Sequence, residues 1–235
     1  QTRVDRGRNT YQVFVFTVNA ATALVAYCCF KKLFQSNKFG LIGSMVYTLS
    51  LYRLLNVYTR AAVGEYCAMI FLPIIFLGLY RIYMQKDSKS SWKLALMPAL
   101  GLTGIIHTHI LSCEMVAIFI LLTCIILFKK TIQPKVLLSL LLTVAFTLLI
   151  NAGFIVPFAD YYFTEDFIIN SAEWGGTSVQ NIGLYFVQIF SIFQEGIGGT
   201  WSTTAGIRDE FNPGLGVTLT IGFLVCIYYL LTTNR

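Results

Sequence analysis

Apolar residues in this chain are grouped into long runs that are separated by short polar segments. Three runs, Tyr11–Phe30, Ala61–Tyr80 and Val136–Phe158, contain no charged residue other than Glu65. A helix needs about 20 such residues to cross the roughly 30 Å of bilayer hydrocarbon. The shorter run Phe39–Tyr52 would cross only as a helix that continues toward Leu55, or where the bilayer is thinned.

The later runs complete the predicted topology. Trp92–Phe128 is too long for one crossing and predicts a helical hairpin that turns near His107–Glu114, and Leu215–Leu231 forms a last span. The predicted fold is an all-α integral membrane protein, one polytopic domain over 1–235 with about seven transmembrane helices. One long extracytoplasmic loop, 159–213, contains the apolar stretch Ile182–Phe193, which predicts a re-entrant or interfacial helix.

Composition supports this class. Hydrophobic residues make up 56% of the chain and charged residues only 12%, against about 25% charged in a typical soluble domain. The formal net charge of +6 could indicate a nucleic-acid partner. The lysines, however, lie in short loops between spans, where positive charge sets orientation, so we predict the lipid bilayer as the partner and no nucleic acid.

Charge alternates from one loop to the next. The nine lysines fall in three loops: Lys31, Lys32 and Lys38; Lys86, Lys89 and Lys93; Lys129, Lys130 and Lys135. Such loops are typically cytoplasmic. Every acid except Asp87 maps to the opposite side, so ionic chemistry is predicted at the extracytoplasmic face. Because the chain starts at Gln1 without a methionine and stops directly after a span, we interpret it as a piece of a longer membrane protein.

Arg53 and Arg60 are the first candidates for chemistry. Seven residues apart on one continuous helix, they would share a face, and two guanidiniums on one stripe suit a phosphate or pyrophosphate. The alternative is that both reach lipid headgroups. Glu65 begins an apolar span, where carboxylates are usually paired or functional. Its predicted role is catalytic or substrate-binding, or else an ion pair with another helix.

Two histidines and several acids complete the candidate set. His107 and His109 would diverge on a helix, but in an extended turn they could share a substrate site with Glu114. They could titrate there, serve only as turn residues, or bind a metal, although the zinc spacing HExxH is absent. No cofactor is evident, and a divalent cation stays open as an alternative. The remaining candidates are catalytic carboxylates beside tyrosines, in a loop that suits sugars but is also ordinary solvated surface: Asp160, Glu165 and Asp166.

A family resemblance adds to this interpretation over about Phe39 to Lys130. The run Tyr47–Tyr80 and the segment Gly101–Ser112 resemble the bacterial multi-pass membrane proteins labelled "6-pyruvoyl-tetrahydropterin synthase-related". The matching motifs are Tyr52-Arg53, Tyr58-Thr59-Arg60, Ala62-Val63-Gly64-Glu65, Leu72-Pro73 and the glycine-rich segment that ends at His109. Those proteins are similar in turn to GT-C glycosyltransferases and YfhO-type relatives.

The resemblance implies a function. It implies a multi-pass protein of the bacterial cell membrane, a polyprenyl-phosphate-linked sugar donor, and an active site at the extracytoplasmic face. It also implies a catalytic acid in an outer loop before Gln1. The leading hypothesis is therefore a glycosyltransferase-like enzyme. The alternatives are a transporter or flippase of a lipid-linked or anionic solute, and a non-catalytic subunit of an envelope assembly.

Overall fold

The computed structural model describes residues 2–84, 90–165, 216–217 and 219–224, with side chains from residue 7 onward. Within these residues the chain is helical and contains no strand, which confirms the predicted all-α class. The predicted last span is described only in part, and Lys86, Asp87, Lys89, Asp166 and Ile182–Phe193 lie outside the described residues.

The helices succeed one another with short breaks. In chain order they are α1 (Thr2–Phe34), α2 (Asn37–Thr48), α3 (Leu51–Leu54), a π-helical turn (Leu55–Thr59), α4 (Val63–Ala68), α5 (Leu72–Met84), α6 (Ser91–Thr108), α7 (Ile110–Ile126), α8 (Phe128–Thr131), α9 (Pro134–Ile150) and α10 (Ala152–Thr164). The described helices form two compact units. The first contains residues 1–48 and 61–157, and the second contains residues 49–60 and 158–235.

Two helical stretches are long and apolar enough to cross a membrane, Gly7–Phe34 and Val63–Met84. The pair α9–α10 would be a third if it counts as one span, but it bends by 77° at Asn151. The predicted span Val136–Phe158, whose apolar run is interrupted by Asn151 and Gly153, therefore stays a prediction, either as one bent span or as a re-entrant pair. The predicted span from Phe39 is not supported, because α2 has only 12 residues and a 12-residue helix is about 18 Å long.

Contacts within the first unit show that successive long helices reverse direction. A Cβ built on Gly78 of α5 would lie 2.6 Å from Pro98 of α6, and one on Gly104 would overlap the Phe71 ring. Positions early in α5 therefore face late positions in α6, so the two helices are antiparallel. Such close backbone approach through small residues is typical of helix packing in membranes.

The helix after α6 returns alongside α5. Tyr83 near the end of α5 donates a hydrogen bond from its hydroxyl to Cys124 Sγ, at 3.4 Å, near the end of α7. Its hydroxyl also lies 3.0 Å from Thr131 Oγ1 in α8. Cys113, early in α7, packs against the cluster around Ile75 and Ile105. The helices α6 and α7 therefore form the predicted hairpin, with the break at His109.

The first two helices show the same alternation. Ser44 in α2 donates to the Ala23 carbonyl of α1 at 2.7 Å, and a Cβ on Gly40 would lie 2.8 Å from Lys31, so α1 and α2 are antiparallel. The Phe14 ring in the first half of α1 packs on Tyr66 of α4, with centroids 6.4 Å apart. The ends of α1, α5 and α7 and the starts of α2, α6 and α9 therefore lie at one end of this unit.

This arrangement gathers the described lysines. Lys31, Lys32, Lys38, Lys93, Lys129, Lys130 and Lys135 all flank those helix ends, and we call this the lysine end. Its core is a cluster of Ile82, Tyr83, Leu94 and Val136. Glu65, His109 and Glu114 lie on helix starts or ends at the opposite end of the unit. The charge separation predicted from the sequence thus corresponds to two ends of one helix bundle.

Helix α9 has an inverted arrangement of polar and apolar side chains. Its buried positions recur every four residues: Ser139, Thr143, Thr147 and then Asn151. Its exposed positions are large and apolar: Leu137, Leu138, Leu141, Val144, Leu148, Leu149 and Ile150. A soluble helix buries the opposite stripe. An outer surface of this kind is stable in the apolar interior of a bilayer. The described helices are therefore of membrane type.

The buried stripe of α9 packs on small residues of α6. Ala95 and Ala99 are fully buried, and Thr143 Oγ1 lies 3.5 Å from the Ala95 carbonyl oxygen. At the far end of this interface, Asn151 Nδ2 donates to Thr103 Oγ1 at 2.9 Å. Because residue numbers rise together along the interface, α6 and α9 run parallel.

The Gly78–Pro98 contact gives a test of the α5–α6 packing. Gly78→Ala places a methyl group against the rigid Pro98 ring and backbone, and overpacking of this kind costs about 1–3 kcal/mol. Gly153→Ala is the matched control, because a Cβ there meets no atom within 4 Å and alanine is favoured over glycine in helices. We expect Gly78→Ala to lower the melting temperature in detergent and Gly153→Ala to leave it unchanged or higher. Equal melting temperatures for the two variants would contradict this packing.

Candidate functional site

The segment 49–60 of the second unit carries both predicted phosphate-binding arginines. Arg53 lies in α3 and is only 1% exposed, whereas Arg60 comes directly after the π-helical turn and is exposed. The turn contains one residue more than an α-helical turn, with Arg60 N donating to Leu55 O at 2.9 Å, so it rotates the backbone beyond it by about 100°. The predicted stripe of two arginines on one continuous helix is therefore wrong.

A buried asparagine orients the exposed arginine. Asn56 is 0% exposed, and its Oδ1 accepts a hydrogen bond of 2.9 Å from Arg60 Nη1. The Asn56 Nδ2 group has no hydrogen-bond partner among the described residues. A guanidinium held by a buried amide is oriented before any anion arrives, which lowers the entropic cost of binding. Asn56 was not among the predicted residues, although an amide four residues before an arginine was a usable signal.

His109 caps helix α7 in the first unit. Its backbone is extended, with φ −158° and ψ 107°, which ends α6 and starts α7. Its Nδ1 accepts from the Ser112 backbone N–H at 3.2 Å and lies 2.8 Å from Ser112 Oγ. Because Nδ1 is the acceptor, the neutral ring carries its proton on Nε2. His109 thus has a defined structural role as an N-cap, and its predicted chemical role stays a prediction.

Glu65 lies in the first turn of helix α4, next to this cap. A Cβ built on Gly64 would lie 2.8 Å from the Thr108 carbonyl oxygen and 3.0 Å from His109 Cδ2. The peptide that precedes Glu65 therefore packs directly on the α6–α7 break, and only glycine allows this approach. The Glu65 side chain is half-buried. Its predicted pairing with another helix, for which Arg53 of the other unit is one candidate, stays a prediction.

The remaining candidates of the first unit do not converge into a metal site. His107 is exposed at the end of α6, and its ring lies 5.4 Å from the Phe154 ring. Glu114 lies in the first turns of α7. Among the described residues, no group of three or more His, Cys, Asp or Glu side chains could hold a metal ion.

The predicted carboxylates after residue 158 belong to the second unit. Asp160 is exposed in α10 and its carbonyl accepts from Thr164 Oγ1 at 2.7 Å, so it lies on a helix and not in the predicted loop that starts at 159. Glu165 comes directly after α10 and is exposed. Aromatic rings lie beside them, with Tyr162 stacked on Phe158 at 6.2 Å between centroids. Acids beside aromatic faces have the surface chemistry that the sequence analysis associated with sugars.

Comparison with known proteins gives no relative for this chain. No family model, no curated protein and no solved structure matches it. The family resemblance and the reaction that it implies therefore stay predictions.

The two roles of His109 can be separated by substitution. We expect His109→Ala to destabilise the protein by about 1 kcal/mol, because the Ser112 N–H loses its acceptor. His109→Asn keeps a cap acceptor and should retain the wild-type melting temperature. If His109 serves only as the cap, His109→Asn also keeps full ligand binding and turnover. Equal destabilisation by both substitutions would contradict the cap assignment.

Proposed function

We propose that this chain is part of a glycosyltransferase-like protein of the bacterial cell membrane that binds a polyprenyl-phosphate-linked sugar. The observation that carries the proposal is Arg60, exposed at the end of a π-helical turn and oriented by the buried amide of Asn56. π-Turns are frequent at functional sites, and a planar guanidinium matches the geometry of phosphate oxygens. In this proposal Arg60 contacts the phosphate, whereas the buried Arg53 positions the segment.

Transfer needs a leaving group and a base. The acceptor hydroxyl oxygen bonds to the anomeric carbon, the bond from that carbon to the phosphate oxygen breaks, and the phosphate leaves with the electron pair. Arg60 would stabilise the charge that develops on the phosphate. The hydroxyl proton goes to a carboxylate, for which Asp160 and Glu165, in the same unit as Arg60, are candidates.

The proposal includes seven spans with the lysine end in the cytoplasm. The antiparallel order of α1 and α2, and of α5, α6 and α7, supports alternating crossings. The collected lysines support this orientation through the positive-inside rule. The acid-rich end then faces outward.

A transporter is the second candidate, and the α9–α10 bend favours it. Transporters commonly bind solutes and ions where a membrane helix is broken, and this pair bends by 77°. Vesicles that contain the protein and a donor labelled in both sugar and phosphate separate the two functions. Release of the sugar label from the phosphate label supports the enzyme, and movement of both labels together supports the transporter.

Phosphate recognition is tested by lipid binding in nanodiscs. Native mass spectrometry should detect a bound polyprenyl phosphate but not the matching polyprenol. Arg60→Ala should weaken binding at least about tenfold, since a charge-assisted hydrogen bond is worth about 1.5–3 kcal/mol, and Arg60→Lys should retain part of it. The control is Lys38→Ala, an exposed cation at the lysine end. Equal affinity of Arg60→Ala and wild type would remove Arg60 from the site.

Orientation is tested by thiol labelling of intact cells. In a variant whose native cysteines are replaced, Glu114→Cys should react with an impermeant maleimide and Lys130→Cys should react only after lysis. The reverse pattern would invert the proposed topology.

A further inference from the structure

Asn151 occupies the bend between α9 and α10. Helix α9 ends at Ile150 and α10 begins at Ala152, and the single residue between them is 1% exposed. The bend lies at the end of the buried polar stripe of α9. A fully buried amide at a break in an apolar helix needs partners for both its donor and its acceptor groups.

The donor side of this amide is satisfied. Asn151 Nδ2 donates to Thr103 Oγ1 at 2.9 Å and to the Thr147 carbonyl at 2.7 Å. These two bonds use both N–H groups and fix the orientation of the amide. Asn151 Oδ1 is buried and has no hydrogen-bond partner within the described residues. The bend thus holds one oriented, buried oxygen acceptor without a donor.

A second oxygen with free acceptor capacity lies beside Asn151. Thr103 Oγ1 donates to the Ala99 carbonyl at 2.9 Å and accepts from Asn151 Nδ2, so one of the two lone pairs of this hydroxyl oxygen stays available. Asn151 Oδ1 and Thr103 Oγ1 are neutral oxygens of the kind that coordinate hard cations. The Thr147 carbonyl already accepts from the Asn151 backbone N–H and from Asn151 Nδ2.

We propose that the α9–α10 bend binds an alkali-metal cation, with Asn151 Oδ1 and Thr103 Oγ1 as side-chain ligands. A monovalent ion fits better than a divalent one, because the described residues bring no group of three or more acidic, histidine or cysteine side chains together. The site lies in the first unit and uses no residue of the proposed phosphate site. The cation-site proposal therefore does not depend on the proposed function. If the protein is a transporter, the bound cation would be its coupling ion.

The cation itself is the probe. The protein in nanodiscs should bind ²²Na⁺ saturably in a scintillation proximity assay, and unlabelled Na⁺ or K⁺ should compete to a different extent, which identifies the preferred ion. At saturating concentration of that ion, the melting temperature should exceed the value in choline chloride of equal ionic strength by about 2–4 °C.

Substitutions assign the ligands. Asn151→Ala and Thr103→Val should each lower the cation affinity at least about tenfold, because each removes one ligand. Both substitutions should also abolish the ion-dependent rise in melting temperature. Thr103→Ser keeps the hydroxyl oxygen and should retain the affinity and the rise in melting temperature. Asn151→Asp retains an oxygen ligand and adds negative charge, so it should bind the cation more tightly, and it serves if Asn151→Ala does not fold. Ser139→Ala, on the same stripe about three turns away, is the matched control and should behave as wild type.

Two results would overturn the proposal. One is the absence of saturable ²²Na⁺ binding together with equal melting temperatures in sodium, potassium and choline chloride. The other is cation binding that Asn151→Ala and Thr103→Val leave unchanged, which would place the ion elsewhere. The bend would then be a structural break with a buried amide and no ion site.

Discussion

The need to pair polar groups without help from water governs most of the first unit. Its clearest case is the interface between α6 and α9, where hydroxyl and amide side chains are buried while leucines face outward. Hydroxyls of the stripe return to their own helix, as Thr143 does to the Ser139 carbonyl and Thr147 to the Thr143 carbonyl, both at 2.8 Å. These hydroxyls are therefore satisfied locally, and close contact with Ala95 and Ala99 excludes lipid from the stripe.

Small residues make the rest of the packing possible. Gly78 meets Pro98, and Gly64 meets the break at His109, so two glycines determine how α5 lies on α6 and where α4 begins. Pro98 has no backbone N–H and lies inside α6, yet its ring occupies space that a side chain at position 78 would need. The antiparallel order that results collects the lysines at one end of the unit and presents Glu65 and His109 at the other.

Much of this order was predictable from the sequence, because membrane helices are long and their flanking charges are sorted. The hairpin around His109, the lysine end and the all-α class are consequences of apolar run length and lysine position. Asn151 and Gly153 interrupt the apolar run Val136–Phe158 in the sequence, but the length of the run does not show that the helix bends by 77° there. The polar residues at every fourth position of α9 were visible in the sequence. The sequence alone does not show whether such a threonine faces lipid or another helix, because that depends on the helix packed against α9.

The candidate site was predicted less well, for a specific physical reason. The expected stripe of Arg53 and Arg60 assumed 3.6 residues per turn, and the backbone between them departs from that value. No propensity marks the segment Leu55–Thr59 as π-helical, and the departure accompanies burial of Leu55, Asn56 and Val57. The sequence shows that both residues are arginines, a residue type that suits phosphate. Their relative orientation depends on the π-helical backbone between them.

The π-helical turn also means that the number of residues between Arg53 and Arg60 determines where Arg60 points. One residue more than an α-helical turn separates the buried guanidinium from the exposed one, so loss of any single residue from 55–59 would restore regular winding. Arg60 would then swing by about 100°, and the hydrogen bond that orients it on Asn56 would have to break. Among natural variants of this sequence, insertions and deletions between the two arginines should therefore be rarer than substitutions there.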